Sequence, residues 1–378
     1  MLCAMQALLR FDVRSSFHPS FRRRASSRFA GWAIALLALA VGNLTHGAGW
    51  DDPTEAGWSF TRSLLNRRFD PTSTLLLSGK VLVVGGGGTD VSLITTELYD
   101  PATGRWSESG NLVIGRDGHS ATLLASGKVL VAGGNGYLNS AEVYDPATGI
   151  WTATGSMLRG RQNHRATLLP SGKVLVAGGN SSRAPLKNAE LYDPATGRWS
   201  ATAPMTSARV NNSQTLLPSG NVLVAGGFKH GTNNLSSAEL YDPDTGTWTP
   251  TSNMSTARAS HSATLLPSGK VLVAGGGLTS AELYDPATET WTPTGSLSAA
   301  TSASAATLLL SGRVLVVDEE SAELYDPATG VWTPTATLNR PRSDFTTALL
   351  TNGKVLAAGG FDGGAVNDAE LYDEGTGF

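Results

Sequence analysis

Cysteine is almost absent from this chain of 378 residues, the single one being Cys3. Residues 50–378 can therefore form no disulfide and offer no thiol nucleophile or thiolate ligand. Long apolar runs are scarce too, and the one that stands out lies between Phe29 and Leu44. Charged residues make up 16% of the chain and glycines number 44, which favours many short strands joined by turns over long surface helices.

The apolar run belongs to residues 1–49, which have the layout of a secretory signal peptide. Arg22-Arg23-Arg24 precede the run, and the small residues Gly47-Ala48-Gly49 follow it. A basic region, a short apolar core and a small-residue cleavage site are the parts that export signals share. A membrane anchor is the alternative, but spanning needs about 20 apolar residues and this run is shorter. We predict cleavage, export to the periplasm or the outside of the cell, and no stable membrane insertion afterwards.

Removal of this leader changes the charge of the protein. Residues 1–49 hold six Arg and one Asp, a formal charge of +5, so the −3 of the whole chain becomes −8 for residues 50–378. An acidic protein is poorly suited to bind nucleic acid or an anionic membrane. The partners that we expect are therefore neither of these.

One unit recurs through the rest of the chain, and its form between Ser171 and Trp199 is SGKVLVAGGNSSRAPLKNAELYDPATGRW. Its Tyr returns every 41 to 49 residues, and in six copies a Trp stands seven positions after the Tyr. Repeats of this length are typical of propeller blades or solenoids. The copies are marked by Tyr99, Tyr144, Tyr192, Tyr241, Tyr284, Tyr325 and Tyr372.

Each copy predicts four strands, which we name a, b, c and d in chain order. Strand b, as in Val174–Ala177, is a short β-branched run between glycines, typical of a strand covered on both faces. Strand c, as in Ala189–Tyr192, alternates between two faces and ends in the hairpin loop Asp-Pro-Ala-Thr-Gly. Strand d begins at the Trp, and prolines such as Pro250 place it at the outer edge of a sheet. Strand a, as in His261–Leu266, then lies nearest the axis of a ring.

The two ends of the repeat region complement each other. The last copy stops at Phe378 without its strand d, whereas Gly57-Trp58-Ser59-Phe60-Thr61 matches a strand d that lacks its own a, b and c. Pairing of the two pieces would complete a blade and leave no long open edge. The sequence therefore predicts an all-β fold, a seven-bladed β-propeller of four-stranded blades spanning residues 50–378.

Gly-Gly at the end of strand b, followed by Tyr and Trp separated by six residues, is the pattern of the kelch repeat. Residues 58–378 resemble the kelch-repeat β-propellers, including distantly the propeller domain of galactose oxidase. The resemblance implies the propeller fold but leaves function open, since such propellers include protein-binding scaffolds, sugar-active enzymes and a copper oxidase. The copper-radical chemistry needs a Cys crosslinked to Tyr, which residues 50–378 do not offer.

Two residue types that recur once per blade are interpreted as structural. A Glu in every strand c and an Arg before six of the strands a are expected to pair, because a catalytic group is needed once rather than seven times.

His119, His164 and His261 share one position at the start of strand a, where imidazoles near the axis could converge on a metal. The equivalent residues in other copies are Pro71, Asn212, Ser304 and Phe345, so we predict no metal and no cofactor.

The b–c and d–a connections vary between copies, whereas the a–b and c–d hairpins hardly do. We call the face where the variable connections emerge the loop face, and the opposite one the hairpin face. Variable loops on a rigid ring are where binding usually resides. A basic side at blades 3 and 4 and an acidic side at blades 6 and 7, with Phe361, Asp362 and Asp368, are expected. The predicted ligand-binding residues are Arg161, His164, Arg183, Lys187, Phe228, Lys229, His230, Asp318, Glu319 and Glu320.

The function predicted from these patterns is that of an exported, monomeric, non-enzymatic binding module with a protein or carbohydrate ligand on the loop face. A sugar-active enzyme such as a mutarotase or epimerase is the alternative. Its acid/base candidates would be Glu319, Glu320 and Glu323. Glu323 would lack an arginine partner, because Thr301 stands where the other copies carry the Arg. A purely structural surface protein is the third reading.

Overall fold

The computed structural model describes residues 56–230, 234–301 and 305–375. These residues form seven antiparallel sheets of four strands each, arranged as the blades of a propeller. The part of the chain so described contains no helix long and apolar enough to cross a bilayer. The predicted leader, residues 1–49, lies outside the described residues, so its cleavage and the export of the protein stay predictions.

Every predicted strand is present. The a strands are β2 (Thr72–Leu75), β6 (Ser120–Leu123), β10 (Arg165–Leu168), β14 (Ser213–Leu216), β18 (His261–Leu265), β22 (Ala305–Leu308) and β26 (Thr346–Leu349). The b strands are β3 (Val81–Val84), β7 (Val129–Ala132), β11 (Val174–Ala177), β15 (Val222–Ala225), β19 (Val271–Gly275), β23 (Val314–Val317) and β27 (Val355–Ala358). The c strands are β4 (Thr96–Asp100), β8 (Ala141–Asp145), β12 (Ala189–Asp193), β16 (Ala238–Asp242), β20 (Ala281–Asp285), β24 (Ala322–Asp326) and β28 (Ala369–Asp373). The d strands are β1 (Gly57–Phe60), β5 (Arg105–Glu108), β9 (Ile150–Thr154), β13 (Arg198–Thr202), β17 (Thr247–Thr251), β21 (Thr290–Pro293) and β25 (Val331–Pro334).

The ring closes through strands from the two ends of the repeat region. Strand β1 pairs antiparallel with β28, with Trp58 opposite Tyr372, and the sheet runs in the order β1-β28-β27-β26. The prediction that the N-terminal strand completes the last blade is confirmed. Each a strand contacts the a strands of the two adjacent blades, from β2 against β6 round to β26 against β2, so the a strands surround the axis.

The hydrophobic core lies between blades rather than within one. Val174 and Val176 of blade 3 pack with Leu130 and Ala132 of blade 2, and the b strands are almost entirely inaccessible. In each blade the Tyr of strand c packs on the Trp of strand d, with ring centroids 4.9 to 5.3 Å apart. The Tyr192 hydroxyl in addition lies 2.8 Å from Thr154 Oγ1 of the preceding blade. The aromatic pairs therefore join adjacent blades.

The Gly-Gly motif lets neighbouring blades approach closely. Gly178 and Gly179 have φ angles of +69° and +89°, and a Cβ on Gly178 would lie 2.6 Å from the Arg209 carbonyl oxygen of the next blade. The Gly179 amide donates to that same oxygen over 2.9 Å. Glycine is required at these positions because any side chain would collide with the adjacent blade and strain the left-handed backbone.

Candidate functional site

Six buried ion pairs hold the connections that reach the loop face. Arg161 Nη2 lies 2.6 Å from Glu190 Oε1, and the same guanidinium donates to the carbonyl oxygens of Gly178 and Asn188. Glu190 also accepts from the amides of Leu158 and Arg159 in the d–a connection. The predicted pairing is confirmed, and the pair fixes this connection against strand c. The other pairs are Arg68–Glu97, Arg116–Glu142, Arg209–Glu239, Arg258–Glu282 and Arg342–Glu370.

This arrangement corrects the choice of Arg161 as a ligand-binding residue. Its side chain is 0% exposed, and its guanidinium is enclosed by Glu190 and two backbone carbonyls. A ligand on the loop face would have to displace those partners to reach it. We therefore assign Arg161 a structural role.

A collar of left-handed residues surrounds the channel where strand a begins. One residue in each of six blades, two positions before the strand in most copies, has a φ between +49° and +57°. Adjacent members are joined by backbone hydrogen bonds, such as Asn163 N to Gly118 O and Asp70 N to Asp344 O. Asp, Asn and Gly tolerate this conformation best, which explains why they dominate the position. The collar consists of Asp70, Gly118, Asn163, Asn211, Ser260 and Asp344.

The three histidines follow the collar residues and bridge adjacent blades. Nε2 of His119, His164 and His261 each lies 2.9 Å from a hydroxyl of the preceding a strand, on Thr72, Ser120 and Ser213 respectively. Burial, followed by a nearby arginine, lowers the pKa of His119 and His261 to about 3 and that of His164 well below its usual range. These rings are therefore neutral at physiological pH.

The collar and the histidines line one open cavity on the axis, with a volume of about 390 Å³. We call it the channel mouth. Its wall also includes Phe69, Phe345 and Arg165, so six of the seven blades contribute to it. A second space of about 430 Å³ continues from it into the channel along β2, β6, β10, β22 and β26. The mouth thus presents carboxylates, amides, a guanidinium and two aromatic rings.

The charged side chains of the channel mouth, Asp70, Asp344 and Arg165, form no ion pair with one another. Desolvation at the channel wall, with the negative charges of Asp344 and Asp117, raises the pKa of the partly exposed Asp70 to about 6. Asp70 Oδ2 accepts from the Gly118 amide over 3.0 Å. Arg165 donates through Nε to the Asn212 carbonyl over 3.3 Å. Within the described ranges, no carboxylate lies within 4 Å of the Arg165 guanidinium.

Of the remaining predicted ligand-binding residues, His164 lines the mouth, and the others lie in separate b–c connections. Arg183 and Lys187 are exposed in the b–c connection of blade 3, and Lys229 and His230 in that of blade 4, beside half-buried Phe228. His164 is nearly inaccessible in the cavity wall. On blade 6, Asp318 is half-buried, whereas Glu319 and Glu320 are exposed in the short b–c turn.

The two aspartates expected to make blade 7 acidic share one arginine. Arg340 Nη2 lies 2.9 Å from Asp362 Oδ2, and its Nη1 lies 2.5 Å from Asp368 Oδ2. One positive charge thus offsets one of the two negative charges, and the acidic surface expected at this blade stays a prediction. The neighbouring Phe361 packs edge-on against Phe69 of blade 1, with centroids 5.6 Å apart.

Glu323 in blade 6 has a different partner from its six counterparts. Ser298 donates to Glu323 Oε1 through both its amide and its hydroxyl, each over 2.9 Å. Glu323 is 3% exposed and has no ion pair within the part of the chain that the structure describes. Neither Glu323 nor the two exposed glutamates of the same blade lines the channel mouth.

Sequence reasoning missed the residues that form the mouth, namely Asp70, Asn163, Arg165, Asn211, Ser260 and Asp344. The signal that marks them is a run of turn-forming residues at one repeat position just before strand a. The histidines are poorly placed to hold a metal, because each Nε2 is engaged by a hydroxyl and each Nδ1 is inaccessible. Among the residues described, no three His, Cys, Asp or Glu side chains form a group suited to a metal ion.

Comparison with known proteins agrees with this architecture. A family model described as the KLHDC2/KLHL20/DRC7 Kelch-repeats domain matches residues 72–276. A solved structure of a fungal alcohol oxidase of the AA5 family, in complex with copper, is similar with a TM-score of 0.71 and 20% identity. That similarity covers 84% of this chain and 76% of the oxidase chain, and at this identity it shows the fold alone. No curated protein matches this sequence.

Proposed function

The chain belongs to the kelch-repeat family of β-propellers, and on that premise we propose that it is an exported, non-enzymatic binding module. Its ligand, a glycan or a protein segment, docks on the loop face and places a polar group in the channel mouth. Export rests on the sequence of residues 1–49, with a basic region, an apolar core and small residues at the end.

One observation carries the proposal: the mouth varies from blade to blade while the scaffold around it repeats. The b strands of blades 2, 3 and 4 read Val-Leu-Val-Ala in each case. At the mouth the same blades contribute Gly118, Asn163 with Arg165, and Asn211. A cavity of about 390 Å³ lies within the range of ligand sites, and its few polar groups can orient a bound molecule.

Oxidase chemistry is not proposed for this chain, although a structural neighbour is a copper-bound alcohol oxidase. The only cysteine is Cys3, and the histidines near the axis are engaged with hydroxyls of the preceding blade. The sugar-active alternative draws no support from Glu319, Glu320 and Glu323, because none of them lines the mouth.

A glycan array probed with the purified protein, with calcium and with chelator, tests the proposal. We expect a selective hit whose affinity falls at least tenfold in Arg165→Gln, a mouth variant, and is unchanged in Arg198→Gln. Arg198 is an exposed arginine on the outer strand β13 and is the matched control. If the array is blank, a pull-down from the exported fraction should retain a protein that Arg165→Gln releases. Retention of every ligand by the mouth variant would refute the proposal.

A further inference from the structure

The channel mouth holds charged side chains of both signs that form no ion pair with one another. The fully buried arginines of the blades, such as Arg161, each contact a carboxylate, whereas the exposed Arg165 does not. Arg165 on blade 3 faces the mouth with only its Nε engaged, by a backbone carbonyl. Asp70 and Asp344, from adjacent blades 1 and 7, lie in the same wall. Charges of both signs are thus held in one cavity without contact.

The separation leaves both signs available to a bound molecule. Asp70 lies among Asp344, Asp117 and Arg165, and desolvation together with the two negative neighbours raises its pKa to about 6. A positive group beside Asp70 and Asp344 would relieve that repulsion. The planar guanidinium of Arg165 has two terminal nitrogens free to receive a carboxylate in bidentate geometry.

The histidines form a rigid part of the same wall. His119, His164 and His261 are more than nine-tenths buried, and each binds a hydroxyl of the preceding blade through Nε2. Their Nδ1 atoms have almost no exposed surface, so the rings shape the cavity and do not offer hydrogen bonds to its contents.

We propose that the channel mouth binds a small zwitterionic group, with its ammonium between Asp70 and Asp344 and its carboxylate on Arg165. The proposal rests on the binding function proposed above and specifies the group that enters the mouth. An amino acid, a short peptide with both ends free or an acidic amino sugar would supply this chemistry. The 390 Å³ of the mouth accommodates a group of that size.

Calorimetry with a panel of short oligoglycines tests the inference, since their amine and carboxylate are separated by graded distances. The blocked probes are glycylglycinamide, which lacks the carboxylate, and N-acetylglycylglycine, which lacks the amine. Glucose serves as an uncharged polyol. We expect at least one zwitterion to bind at least tenfold more tightly than each of the other three probes. Equal binding of a blocked probe or of glucose, or no binding by any oligoglycine, would overturn the inference.

Two variants test which side chain of the mouth binds the carboxylate of the ligand and which binds its ammonium group. Arg165→Gln should remove the preference for the free carboxylate, and Asp344→Asn should remove the preference for the free amine. Asn tolerates the left-handed conformation of residue 344, whose φ is +50°, so the fold should be retained. Arg198→Gln and Asp244→Asn, on the outer edge and the hairpin face, should leave both preferences intact. An uncharged glycan that binds through the mouth would contradict the inference and leave the binding function standing.

Discussion

Blade 3 and blade 6 have the same four strands but differ in how those strands are connected to their surroundings. Blade 3 has the Arg161–Glu190 pair and the Gly178-Gly179 contact with blade 4. In blade 6, Thr301 and Ser298 replace the charged partner, and Asp318-Glu319 stand in place of the glycines. The sheet β22-β23-β24-β25 is nevertheless complete. The apolar strands and the Tyr–Trp pair are thus sufficient for a blade, and the ion pair serves the d–a connection.

The largest expected effect is that of Glu190→Gln in blade 3. The substitution leaves the Arg161 guanidinium buried without an opposite charge and turns an amide NH₂ towards donors. Breaking a buried pair by removing one partner typically costs about 3–5 kcal/mol of unfolding free energy. Urea denaturation followed by tryptophan fluorescence measures it. A loss below about 1 kcal/mol would show that the pair contributes little even in an intact blade.

Gly179→Ala should come next, with Glu319→Ala at the equivalent position of blade 6 as its control. The left-handed φ of +89° alone costs an alanine about 1–3 kcal/mol, and its Cβ would lie 2.7 Å from that of His164. Glu319 is exposed, so its truncation should change the unfolding free energy by no more than about 0.5 kcal/mol. Thermal denaturation of the two variants compares them. Similar melting temperatures would mean that the glycine contact does not hold the blades.

Acid should destabilise the protein through its buried histidines, and His164 of blade 3 is the one to test. The native pKa of His164 lies well below that of an unfolded histidine, near 6.5, so the unfolded state binds the proton first. The stability is therefore complete above about pH 6.5 and is lost as the pH falls below it. His164→Asn, which copies the natural Asn212 at the same position of blade 4, should reduce the loss between pH 7 and 5 by roughly 1–2 kcal/mol. An unchanged pH profile in this variant would exclude His164 as a source of acid sensitivity.

The smallest effect is expected from Glu323→Gln in blade 6. Both contacts from Ser298 reach Oε1, so a glutamine keeps them with its remaining oxygen and leaves no buried cation unpaired. We expect a change below about 1 kcal/mol in urea denaturation. A loss as large as that of Glu190→Gln would reveal an uncompensated charge in blade 6 and remove the contrast between the two blades.

The repeat made the fold predictable, because each copy carries the same strand, turn and aromatic signals in phase. The closure by β1 and the Arg–Glu pairs could also be read from equivalent positions. The mouth could not, since Asp70, Asn163 and Asp344 look like ordinary turn residues until the ring brings them around one axis. The pairing of Arg340 with both Asp362 and Asp368 could not be predicted either, because it depends on the geometry of the loops rather than on spacing in the sequence.

The pairing of β1 with β28 also constrains the order in which the protein is built. Trp58 is synthesised early, yet its strand partner Tyr372 emerges more than three hundred residues later. Until then a growing chain has an unpartnered β1 and an open row of blades. Such distant pairing slows folding and prolongs the exposure of apolar edges. We expect the joining of these two strands to be a late step of folding, and a chain that stops before β28 has no strand for β1 to pair with.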